Sequence, residues 1–161
     1  MGGRFGRMVL ALGVATILGP GTVAAQGRPL SARGQQDLQF GPLLPGVPIT
    51  VSRLDAANAG QFEIRGRRNT EVQVELTLPA VMTSGSGATL PLQFSAGDAG
   101  YSTDPAIGSS QAFDPRVPLT TVLASNGKLY IFLGGTALPG SQQAAGTYAA
   151  TITLTVAYTG V

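Results

Sequence analysis

Gly146-Thr147-Tyr148-Ala149-Ala150-Thr151-Ile152-Thr153-Leu154-Thr155-Val156-Ala157-Tyr158 is the stretch that decides the fold class. In an extended chain Tyr148, Ala150, Ile152, Leu154, Val156 and Tyr158 share one face. Ala149, Thr151, Thr153, Thr155 and Ala157 share the other. Side chains alternate with period two along a strand and with period 3.6 along a helix, so a half-buried strand sorts these residues and a helix scatters them. The threonines add β-branched stiffness that favours extended backbone.

The same alternation recurs upstream. Val72, Val74, Leu76 and Leu78 point one way, and Glu71, Gln73, Glu75 and Thr77 the other. Pro79, which has no N–H to donate to a ladder, ends that strand. Shorter strands are expected at 61–65, with Phe62 and Ile64 inward, and at 37–40, 48–52 and 90–94. Within the expected strand at Lys128–Leu133, residues 129–133 are apolar on both faces, as in a central strand covered twice or a strand beside a groove. Asn126-Gly127 ahead of it reads as the two-residue loop of a type I′ hairpin, and Gly134-Gly135 closes it. Residues 83–88 read as a flexible turn and 95–115 as a long polar loop with room for one short strand. These elements predict about seven strands and no helix beyond the leader. That is an all-β domain, an immunoglobulin-like antiparallel β-sandwich.

The first 25 residues read as a secretory signal peptide. Arg4 and Arg7 charge the start, residues 8–18 are apolar, Gly19-Pro20-Gly21 break the run, and Val23-Ala24-Ala25 are small. The apolar run, expected as a helix, is shorter than the ~20 residues that cross a bilayer, so no stable membrane anchor is expected. The predicted cut lies between Ala25 and Gln26. The expected organisation is a signal peptide over 1–25, a flexible N-terminal arm over 26–36 and the sandwich over 37–161. The destination is the periplasm, the cell surface or the medium.

Removal of the leader changes the charge balance. The whole chain carries 10 basic and 8 acidic residues, and Arg4 and Arg7 depart with the leader. The remainder is formally neutral, which argues against nucleic acid as a partner. Arg65, Arg67 and Arg68 cluster around the turn at 66–70, either as a solvated turn or as a contact for an anion or glycan. Cysteine is absent, so no disulfide supports the fold. At 43% hydrophobic the chain has enough apolar material to order itself.

The chemistry of catalysis is thinly represented. The chain has no His, Cys or Trp, which removes the commonest general base, the thiolate nucleophile and the usual zinc ligand sets. No cofactor, metal site or catalytic residue is expected, and the protein is not expected to be an enzyme. Ser125 and Lys128 have Ser-x-x-Lys spacing, but that pattern needs a helical turn and here spans Asn126-Gly127. Glu71 and Glu75 are four residues apart on one strand face, about 13 Å, too far for a glycosidase pair. Asp98, Asp104 and Asp114 lie in the polar loop at spacings that suit turns better than a calcium loop.

Three segments carry a resemblance. The first is Asp37-Leu38-Gln39-Phe40-Gly41, preceded by Leu30. The second is Ala59-Gly60-Gln61-Phe62-Glu63-Ile64-Arg65-Gly66 with Val74-Glu75-Leu76-Thr77-Leu78-Pro79. The third is Leu133-Gly134-Gly135-Thr136 with Ala144-Ala145-Gly146-Thr147-Tyr148 and Val156-Ala157-Tyr158. Together they make the chain resemble a family of secreted bacterial β-domains of unknown function. That family is pilin-subunit-like and related to spore coat protein U. The resemblance implies a pilin-like sandwich and a fimbrial or cell-adhesion role. It also implies a periplasmic chaperone and other appendage subunits as partners, which pair with a terminal strand. Tyr148, Ile152, Leu154, Val156 and Tyr158 would then be the chaperone or partner strand. The arm over 26–36 departs from a donor strand, because it offers only Leu30 and Ala32 between Pro29 and Gly34. The readings carried forward are a non-enzymatic structural or adhesion subunit and a stand-alone glycan-binding module using Tyr101 in the 95–115 loop. A hydrolase is the third.

Overall fold

The computed structural model describes residues 28–160 and the backbone of 11–14. It is all-β. β1 is Ala11–Val14, β2 Ser31–Gln36, β3 Ile49–Val51, β4 Gly60–Arg65 and β5 Glu71–Thr77. β6 is Val81–Ser84, β7 Thr89–Gln93, β8 Ala99–Ser102 and β9 Gln111–Phe113. β10 is Leu119–Val122, β11 Lys128–Leu133, β12 Gly135–Ala137, β13 Tyr148–Ala149 and β14 Thr151–Tyr158.

These strands form three ladders, ordered β1-β14-β5-β10, β2-β4-β11-β8-β9 and β13-β6-β7-β12-β3. All pairings are antiparallel except β1 on β14. The deciding stretch does alternate: Tyr148, Ile152, Leu154 and Val156 are buried, while Ala149, Thr151 and Ala157 are exposed. It is nonetheless two strands. β13 pairs with β6 and β14 pairs with β5, so the chain changes ladders at Ala150. A second change falls between β11 and β12, at Gly134. There a Cβ would come within 2.3 Å of the Val51 carbonyl oxygen, so only glycine fits.

The core draws on all three ladders. Val74, Ile152 and Leu154 come from the first, Phe62, Ile64, Leu129 and Ile131 from the second, and Met82 and Leu90 from the third. Each is at most 1% exposed. β11 is the central strand expected from its two apolar faces, flanked by β4 and β8. Leu129, Ile131 and Leu133 join the main core, whereas Phe132, also buried, lies outside it.

Several sequence expectations are corrected. Fourteen strands, not about seven, occur among the described residues. Ser31–Gln36, expected in a loose arm, is strand β2 paired with β4, while 37–40 is outside any ladder although Leu38 and Phe40 are buried. The turn expected at 83–88 begins with strand residues Thr83 and Ser84 of β6, and the loop at 95–115 is a β8–β9 hairpin joined through a 3-10 turn. Asn126-Gly127 does not make a type I′ hairpin. Gly127 has φ +76° but Asn126 is not among the positive-φ residues, and the turn joins β10 in one ladder to β11 in another. The leader was expected as a helix, yet Ala11–Val14 is a strand. The edge of β14 presents open N–H and C=O groups, and an extended segment satisfies them. The rest of the leader, with Ala25 and Gln26, lies outside the described residues.

Candidate functional site

Two places on the molecule have the make-up of a binding site: the outer edge of β14 and a basic cleft near its end.

β14 is held on one side by β5, in register from Thr153 opposite Thr77 to Tyr158 opposite Val72. Of the expected partner-strand residues, Ile152, Leu154 and Val156 are packed in the core, and Tyr158 is half-buried at the strand end. Tyr148 sits apart, on β13, with its hydroxyl donated to the Ala144 carbonyl at 2.6 Å. The other edge of β14 carries β1, parallel, with Ala11 opposite Thr151 and Val14 opposite Leu154. Among the described residues no strand pairs with 155–158 of β14 on that edge. β14 thus carries an extended segment of apolar and small residues along the first half of that edge.

The cleft lies where β4 leaves its ladder. It has a volume of about 630 Å³ and is bordered by Arg28, Arg67, Arg68, Thr70, Ser125 and Asn126 around Gly66. Gly66 is buried, and a Cβ there would come within 2.8 Å of both Leu30 and Leu123. The Gly66 N–H donates to the Gly127 carbonyl at 2.9 Å, which fixes the two turns side by side. A Cβ on Gly127 would approach the Gly66 carbonyl oxygen to 2.3 Å. The Arg67 N–H donates to the Tyr158 hydroxyl at 2.8 Å, and that hydroxyl donates to the Arg28 carbonyl at 3.3 Å. The Arg67 guanidinium stands over the Tyr158 ring, 4.8 Å from its centroid.

Arg65, which belongs to the same sequence cluster, does not face this cleft. Its Nη2 donates to Glu63 Oε2 at 2.9 Å, and Lys128 Nζ reaches Glu63 Oε1 at 3.1 Å. Gln35 on β2 donates to the same Glu63 carboxylate at 3.1 Å. The Arg65 hydrogen bond, with Lys128 behind it, holds the Glu63 carboxyl below its ordinary value of 4.5, against the opposing effect of burial.

The remaining candidates serve the fold. Lys128 is engaged with Glu63, so Ser125 and Lys128 form no nucleophile pair. Glu71 and Glu75 are exposed on β5. Asp98 accepts from the Ser95 N–H, Asp104 from the Ala106 N–H and Asp114 from Arg116, each within its own turn. Tyr101 is half-buried in the β8–β9 hairpin, bonded to Gln111 and edge-on to Phe113 at 6.0 Å, rather than displayed on a loop.

Sequence reasoning noticed Arg67 and Arg68 but missed Arg28. The contact that brings Arg28 in spans 130 positions, and no local pattern announces it.

An all-β chain of mainly antiparallel ladders is the class that the fold defines. The family described as a domain of unknown function, DUF4402, matches residues 48–158, and the chain belongs to it. That span contains β3 through β14 and leaves β1 and β2 outside. No curated protein matches the chain.

Proposed function

We propose that this chain is a non-enzymatic exported structural or adhesion protein, a surface-appendage subunit of pilin-like sandwich build that assembles by strand pairing along β14. The observation that carries the reading is the parallel seat of Ala11–Val14 on Thr151–Leu154. Cleavage between Ala25 and Gln26 removes that segment and frees the edge. A periplasmic chaperone strand takes it first, and a strand from another subunit replaces the chaperone.

The energetics favour such an exchange. Four paired residues on β14 give about four ladder hydrogen bonds at roughly 0.5–1.5 kcal/mol net each, so about 2–6 kcal/mol holds the leader strand. A longer strand that also reaches positions 155–158 of the freed edge makes more bonds than the leader segment does.

The test expresses the full sequence in a bacterial host with and without a pilus-type chaperone. N-terminal sequencing, gel filtration and SDS resistance before heating are the readouts. The reading expects Gln26 as the first residue and either a stable chaperone complex or heat-dissociable oligomers. A processed, folded monomer that takes no chaperone contradicts it.

A further inference from the structure

We propose that the cleft between the turn at 66–70 and the turn at 124–127 binds a saccharide bearing sulfate or phosphate esters. The site adjoins the end of β14 through Tyr158, but its lining comes from the two turns and Arg28, and it does not depend on the assembly reading.

Charge is the first argument. Arg28, Arg67 and Arg68 border the cleft, and all three are exposed. The carboxylates nearby are committed elsewhere. Glu63 is held by Arg65 and Lys128, and Glu71 accepts from the Thr159 hydroxyl. Among the described residues none of the three cleft arginines has an ion pair. Three guanidiniums gathered in one concavity, with no ion pair among the described residues, form an anion site, because each can fork onto two oxygens of a sulfate or phosphate group.

Neutral donors are the second argument. The Asn126 Oδ1 accepts from the Lys128 N–H at 3.0 Å, which orients the side chain and leaves its amide N–H groups without an acceptor among the described residues. The Ser125 hydroxyl likewise has no partner there, and both residues border the cleft. Hydroxyl and amide groups beside guanidiniums suit a ring that carries hydroxyls and an ester anion together. The volume of about 630 Å³ falls within the range of small-molecule sites and greatly exceeds one oxyanion.

Stacking is the third. Nucleic acid binding without sequence readout uses exposed aromatic platforms for the bases. Here the Tyr158 ring is covered by Arg67. The site therefore favours a sugar over a base.

The experiment measures binding by calorimetry to the chain expressed from its full sequence. The probes are a sulfated heparin-derived tetrasaccharide, the same tetrasaccharide desulfated, inorganic phosphate and a short single-stranded DNA. The sulfated tetrasaccharide should bind, weaken with added salt, and lose about tenfold for each of Arg28→Ala and Arg68→Ala. Ser125→Ala should weaken binding while leaving the melting temperature unchanged, a control independent of charge. Equal affinity for the desulfated sugar overturns the anion requirement. Phosphate binding as tightly as the tetrasaccharide overturns the saccharide assignment, and so does DNA binding more tightly. Unaltered binding by the arginine variants, with fold intact by circular dichroism, overturns the location. No detectable binding of the sulfated sugar at low salt overturns the proposal whole.

Discussion

Glu63→Gln isolates one knot of charge that joins three strands. Glu63 lies on β4, accepts from Gln35 on β2, and holds Lys128 at the start of β11 at 3.1 Å and Arg65 at 2.9 Å. Its own side chain is 8% exposed, so the carboxylate is well shielded. Hydrogen bonds to charged groups contribute roughly 1.5–3 kcal/mol each, but the outer partners reach into water and are screened. The net loss expected for Glu63→Gln at pH 7 is therefore about 1–2 kcal/mol. The glutamine keeps the volume but turns one acceptor into a donor that faces donors.

The pH dependence gives the stricter check. The folded-state pKa of Glu63 is lowered from 4.5. A carboxyl with a depressed folded pKa contributes stability that is fully present above the unfolded value and lost as pH falls through the folded one. The gap between wild type and variant should thus be full at pH 7 and shrink progressively below pH 4.5, where the carboxylate takes up its proton. Urea unfolding of both proteins at neutral and acid pH measures it, and all other carboxyls cancel in the comparison. An undiminished gap at acid pH, or none at pH 7, refutes the reasoning.

Gly127→Ala should cost about 2 kcal/mol or more, because φ +76° disfavours a side chain and the new Cβ meets the Gly66 carbonyl oxygen; thermal unfolding checks it, and an unchanged midpoint is the opposing result. Tyr158→Phe removes the acceptor of the Arg67 N–H and should cost about 1 kcal/mol in urea unfolding while keeping the ring under the guanidinium. Asp114 is held to a pKa of about 2 chiefly by its hydrogen bond to the Arg116 side chain, so its carboxyl carbon should titrate near pH 2 by NMR and return toward 3.8 in Arg116→Ala.

What could be read from the residues followed from burial. β5, β11 and β14 show their period because one face of each, or both, sits in the core. β2 was invisible, since Ser31–Gln36 contains one apolar residue and is strand through its pairing to β4. β10 was missed for a related reason: Val122 is exposed at 48%, so Leu119–Val122 lacks a clean apolar face. The change of ladder at Ala150 left no mark because the inward face stays inward in both ladders. Asn126-Gly127 was correctly a turn but wrongly a hairpin, since dipeptide chemistry reports local dihedrals and not which ladders the flanking strands join. The cleft required contacts between residues 28, 66 and 158, and such closeness is a product of the completed fold.

The β14 edge carries the account, and amide hydrogen exchange tests it most directly. The processed chain would be followed at Thr151–Tyr158 alone and with a solubilised peptide of residues 8–18. In a strand, alternate amides face each neighbour, so those facing β5 should be protected throughout. The outward-facing amides should exchange fast in the processed chain and slow at least about tenfold when the peptide adds as a strand. Outward amides already protected without the peptide, or unaffected at saturating peptide, would contradict β14 as a strand-accepting edge.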